Sequence, residues 1–195
     1  MRSLHPAKRP LIVVRRALRN DCATQIAEFA VSLPLLVLFV VGIFDFSGAV
    51  TLKQKLTNAA REGARVAAAD PANDLGNSST AALPVSVVDA FYVVDTYLLS
   101  EKINDCGLSG NLAPTVAGLT WTYTANSLGC PTNGITLTIN RGCVIQQTSG
   151  TYAVNTCVTI LYPYTWQFGG VSGLFGGSFT LPIGITTTAV AFNEN

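Results

Sequence analysis

Charge is scarce in this chain. Asp, Glu, Lys and Arg make up 12% of its 195 residues, where soluble domains carry roughly 25%. Histidine is scarcer still, with His5 alone, inside a basic N-terminal stretch. Without a histidine elsewhere, neither a Ser-His-Asp nor a Cys-His nucleophile can be built, and no other catalytic constellation stands out. The cysteines form no Cys-x-x-Cys pair and have no histidine beside them, which argues against a zinc site. The glycine-rich run from Gly169 to Gly177 lacks the Lys-Ser/Thr of a phosphate loop. It reads as a flexible loop, or as a contact to lipid or another subunit through Phe168, Val171, Leu174 and Phe175. A non-enzymatic protein without metal or cofactor is expected.

The charges that are present sit unevenly. Six of the twelve basic residues, Arg2, Lys8, Arg9, Arg15, Arg16 and Arg19, precede the first apolar run, opposed there only by Asp21. Beyond Val66 the balance is mildly acidic. A basic flank before an apolar run holds that side in the cytoplasm. Nucleic-acid binding is the competing reading of the Arg-rich end. No aromatic or basic pattern continues it, so no nucleic-acid partner is expected.

From Phe29 to Leu52 only Asp45 carries charge. The run is long enough for the roughly 20 residues that a membrane helix needs. A buried core helix would be interrupted more often. A cleavable secretory signal would be shorter and would end at an A-x-A site. Residues 51–71 continue with good helix formers, and Leu52, Leu56, Ala59, Gly63 and Val66 recur at three and four. Asp70 and Pro71 stop the pattern. One helix from Thr24 to Ala69 would be near 70 Å long, so its outer part must bury its stripe on the following domain or on a neighbouring subunit. Asp45 reads either as an assembly contact or as a hydrated residue near the outer interface.

The remainder reads as α+β. A polar linker over 72–80 contains Asn77-Ser78-Ser79, which fits a glycosylation acceptor. Pro84 suits a helix start, and Val87, Phe91, Val94 and Leu98 mark a helix to Ser100. Strands are expected over Leu119–Ala125, Ile135–Ile145, Tyr152–Tyr164 and Phe179–Phe192, with a turn at Ser149-Gly150. Cys22 stands alone on the basic N-terminal side of the apolar run. Cys106, Cys130, Cys143 and Cys157 suggest two disulfides, with three connectivities possible. A hairpin centred on Gly150 sets Cys143 opposite Cys157, leaving Cys106 for Cys130.

Residues 24–68 resemble the TadE-like family, the minor pseudopilins of the tight-adherence (Flp pilus) system. The resemblance rests on Glu28-Phe29, Leu33-Pro34-Leu35-Leu36, Gly42-Ile43-Phe44-Asp45-Phe46 and Asn58-Ala59-Ala60-Arg61-Glu62-Gly63-Ala64-Arg65, and more weakly on the Thr-rich C-terminal strand. It implies a single-pass protein of the bacterial inner membrane, with a cytoplasmic N-terminus and a domain in the periplasm or at the cell surface. It also implies partnership with a prepilin peptidase and with other pilin or pseudopilin subunits. The processing site would be Ala23, Thr24, Glu28 and Phe29, with Ala23 where the family usually has Gly. A leader over 1–23, a helix over 24–70 and an external domain over 71–195 follow. Cleavage would free an ammonium at Thr24, one turn from Glu28, which makes Glu28 an assembly candidate beside Asp45. Otherwise Glu28 marks the helix start, where the dipole favours acids. The alternative function is a permanently anchored surface protein whose head binds a ligand or a cell.

Overall fold

A computed structural model describes residues 21–77, 83–110, 113–127, 129–130, 134–148, 151–166 and 184–193, with backbone alone at 21–23, 74, 76–77, 147–148 and 151. The leader up to residue 20, Ser78 and Ser79, the Ser149-Gly150 turn and the glycine-rich run lie outside the described residues.

Helix α1 runs without a break over Asp21–Ala69. It contains Pro34, which removes one backbone donor and is tolerated in an apolar membrane helix. Its most apolar 18 residues have a mean hydropathy of 2.4, and none of them is buried by the other described residues. The helix is therefore long and apolar enough to cross a membrane. Its C-terminal half buries Ala49, Leu56, Ala59, Ala60, Ala64, Ala67 and Ala68, the face that the three-four spacing predicts. The segment expected as a linker forms a 3-10 helix over Ala72–Asn77. Helix α2, Val85–Ser100, follows Pro84 and buries Val87, Ala90, Phe91, Val94 and Leu98.

The five strands form an antiparallel meander in the order β1 to β5: Thr115–Ala117, Thr120–Ala125, Ile135–Thr148, Thr151–Pro163 and Gly184–Phe192. The three-residue β1 was not legible in the sequence. One face of the sheet packs Trp121, Tyr123, Leu137, Ile139, Val158 and Ile160 into a common core with both helices, the two-layer arrangement of an α+β fold. Phe91 of α2 lies on Tyr123 with ring centroids 4.5 Å apart. Burial first, then the charge of Tyr92, pushes the Tyr123 hydroxyl up to about 12. On the opposite face, register aligns Thr115, Thr122, Thr138, Thr159 and Thr188 in one row across all five strands.

Both expected disulfides form, with Cα–Cα separations of 5.4 Å for Cys106–Cys130 and 5.8 Å for Cys143–Cys157. The register beneath the second differs from a hairpin centred on Gly150. Cys143 faces Asn155, Cys157 faces Asn140, and a bulge separates Asn140 from Cys143. Two residues, Arg141 and Gly142, there oppose Thr156 alone, so the bridge links positions offset along the ladder rather than a directly opposed pair.

Candidate functional site

The site that matters is the junction where α1 leaves its bare apolar half and enters the head. Its first head-facing side chain is Asp45, 7% exposed although surrounded in sequence by Phe44 and Phe46, both well exposed. The Tyr164 hydroxyl, just past β4, lies 3.0 Å from Asp45 Oδ1 and 3.1 Å from its carbonyl. Burial and then the Asp45 hydrogen bond raise the Tyr164 phenol above its ordinary value. Trp166 packs edge-on against Tyr164 with centroids 4.9 Å apart. A Cβ at Gly48 would sit 3.3 Å from the Tyr164 hydroxyl, so the small residue one turn beyond Asp45 lets the tyrosine approach.

About four turns further on, at Gly63, α1 is clamped from both sides. A Cβ on Gly63 would lie 2.6 Å from Val94 Cγ2, 3.4 Å from the Ala90 carbonyl and 3.8 Å from Val158 Cγ1. Helix α2 and strand β4 therefore both close on one hydrogen atom. On the flank, Thr57 and Thr187 share a hydroxyl hydrogen bond of 2.8 Å. Lys55 reaches Glu101 Oε2 at 3.0 Å and the Glu101 carbonyl at 3.3 Å, a half-exposed pair of modest worth.

The far end of α1 is closed by Arg141, which is 1% exposed. Its guanidinium donates to the Ala67 carbonyl, to Thr156 Oγ1 at 2.9 Å and to the Asp70 carbonyl at 3.0 Å. Thr156 in turn donates to Asn193 Oδ1 at 2.6 Å, which ties in the end of β5. A cation on the last carbonyls of a helix satisfies orphan acceptors and complements the dipole. Strand alternation sets Arg141 on the inward face with Leu137 and Ile139, and its own N–H donates to the Leu119 carbonyl at 2.9 Å. Sequence reasoning missed this residue. The available signal was an isolated glycine, Gly142, inside a strand pattern.

The other expected site residues are not gathered here. Thr24, Glu28 and Phe29 are exposed on the bare half of α1, and Ala23 lies in the same helix with only its backbone described. Glu28 and Asp45 stand seventeen positions apart, about 26 Å along a straight helix. Among the described residues no cluster of three or more His, Cys, Asp or Glu side chains is placed to hold a metal ion.

These features define a class: a helix long and apolar enough to span a membrane, carrying an α+β head on its C-terminal half. Within that class, residues 24–65 match the model of the TadE-like protein family. The matched segment is α1 itself, including Glu28, Asp45 and Gly63. No curated protein and no solved structure matches the chain.

Proposed function

We propose that this chain is a non-enzymatic, pseudopilin-like membrane protein that takes part in assembling a tight-adherence (Flp) pilus. The observation that carries the reading is a TadE-like helix whose most apolar stretch is not buried by any of the described residues. A helix with such a surface needs lipid, and packing against the apolar helices of other pilin-like subunits would suit the same surface. The basic leader stays in the cytoplasm, the head lies outside, and a prepilin peptidase cuts between Ala23 and Thr24. The new ammonium at Thr24 then sits one turn from Glu28, on the same helix face. It neutralises a carboxylate that would be costly unpaired near lipid, either in the same subunit or in its neighbour. Asp45 contributes to assembly through the head it holds.

The test is the intact mass of the protein extracted from its native membrane. A chain beginning at Thr24 is expected, and replacing Ala23 with a bulky residue should abolish that species. Retention of Met1 in the native membrane would overturn the reading in favour of a permanently anchored surface protein. Asp45→Ala should insert and be cleaved normally yet recover fewer pilin-like partners.

A further inference from the structure

The position of the head along α1 carries a consequence for lipid. Counted from Phe29, just past Glu28, the 16 residues to Phe44 already span about 24 Å at 1.5 Å per residue, most of a roughly 30 Å hydrocarbon core. The head makes its first contacts at once, at Asp45, Gly48 and Ala49. No length of bare helix is left to act as a stalk.

The end of the head that meets this boundary has a particular chemistry. Tyr164 is fixed on Asp45, Trp166 packs on Tyr164, and a cleft of about 330 Å³ opens beside them. Phe46, Val50, Lys53, Trp166 and Ile185 line it. Amphipathic aromatic rings prefer the headgroup level of a bilayer. An ammonium on a long apolar stem reaches the phosphates of the same layer. We infer that the head is seated directly on the outer lipid leaflet, with the Tyr164–Trp166 corner in the phospholipid headgroup layer and Lys53 at its phosphates. The head is thus a lipid-contacting body rather than a domain held clear of the membrane. This inference rests on α1 being a membrane span, and its test separates the two.

Trp166 is itself the probe, because the chain has 2 Trp and the other, Trp121, is buried in the core. Full-length protein is reconstituted into phosphatidylcholine–phosphatidylglycerol vesicles containing lipids brominated either near the headgroup or near the chain end. Wild type is compared with Trp166→Phe. Shallow bromolipid should quench about half of the Trp166 emission, as befits a ring at headgroup depth, with deep bromolipid and aqueous iodide doing less. Trp166→Phe should lose the quenching while keeping the Trp121 signal. Trp121→Phe should keep the quenching, and its loss of a buried indole N–H that has no acceptor among the described residues makes it a tolerable second variant. Emission blind to both bromolipids and open to iodide overturns the inference. Alkaline carbonate extraction distinguishes the failures. Protein that washes off the vesicles sinks the membrane span, whereas protein that stays with an unquenched Trp166 sinks only the seating of the head.

Discussion

Between Thr24 and Phe44, helix α1 exposes Ile26, Phe29, Leu36, Phe39 and Phe44, and between Asp45 and Ala69 it buries Ala59, Ala60, Gly63, Ala64 and Ala67. In a water-soluble helix the large apolar side chains face inward. Here the large ones of the first half face outward, and the inward face of the second half, Leu56 apart, is made of small residues. The difference follows from what each half touches. The first half gains nothing by covering its surface with protein if lipid already covers it, since lipid tails are as apolar as leucine. The second half has two layers of its own chain to meet, and only small side chains let α2 and β4 come within reach of its backbone. One helix thus obeys two packing rules, and the change falls at Asp45, where Tyr164 first reaches it.

The sharpest way to break the comparison is to make the same substitution in both halves. Leu56 is fully buried, whereas Leu36 is 63% exposed. Leu56→Ala should destabilise the head by about 2–5 kcal/mol, because a cavity opens at the meeting of helix and head. Leu36→Ala should change head stability by less than about 0.5 kcal/mol. Denaturant unfolding in detergent micelles, followed through the near-UV circular dichroism of the buried aromatics, reads both. Equal losses would mean that the first half also packs on the head.

Gly63 tests the second rule through its sign. In an exposed helix interior, Gly→Ala gains up to about 1 kcal/mol from backbone propensity. At residue 63 the added methyl would meet Val94 at 2.6 Å, and overpacking costs about 1–3 kcal/mol. Gly63→Ala should therefore destabilise the head, measured as a lower midpoint in the same unfolding experiment. A raised midpoint would mean that α2 yields freely and that the small-residue face is not a fitted contact.

Much of this arrangement was legible because it is local. The apolar run, the spacing of Leu52, Leu56, Ala59 and Gly63, and the Val87–Phe91–Val94–Leu98 stripe are periodic within a few turns. Strands expected from composition over 119–125, 135–145 and 152–164 correspond to observed strands over 120–125, 135–148 and 151–163. The two cysteine pairs followed from the same hairpin logic. What was missed depends on distance or on a single odd residue. The bond between Tyr164 and Asp45 joins positions 119 residues apart, and no local pattern encodes it. A hairpin register read from its turn cannot anticipate the extra residue between Asn140 and Cys143. The cap that Arg141 places on α1 joins positions 74 residues apart, which no local pattern encodes either. The three residues of β1 are too few for any alternation to show.

The smallest expected effect also sharpens the comparison, because it concerns a buried carboxylate on α2, the helix that packs on the second half of α1. Asp95 on α2 is 5% exposed, and its Oδ1 has no hydrogen-bond partner among the described residues. Burial first, and then the negative charge of Asp105, raises its pKa above the ordinary carboxylate value. Between the unfolded value near 3.9 and the raised folded one, the native state binds more protons than the unfolded chain. Stability attributable to Asp95 is therefore fully present below that window and is lost as pH rises through it. Asp95→Asn replaces the carboxylate with a group that stays neutral at every pH. It should raise stability at pH 7 by about 1 kcal/mol, the scale of leaving a buried polar group unpaired. It should also remove the decline in stability between roughly pH 4 and the folded titration point. Unfolding midpoints of wild type and variant measured from pH 4 to pH 8 provide the check. Parallel curves would show that Asp95 keeps its solvation in the folded head. The packing of α2 on α1 would then be looser around that carboxylate than the fully buried Val94 beside it implies.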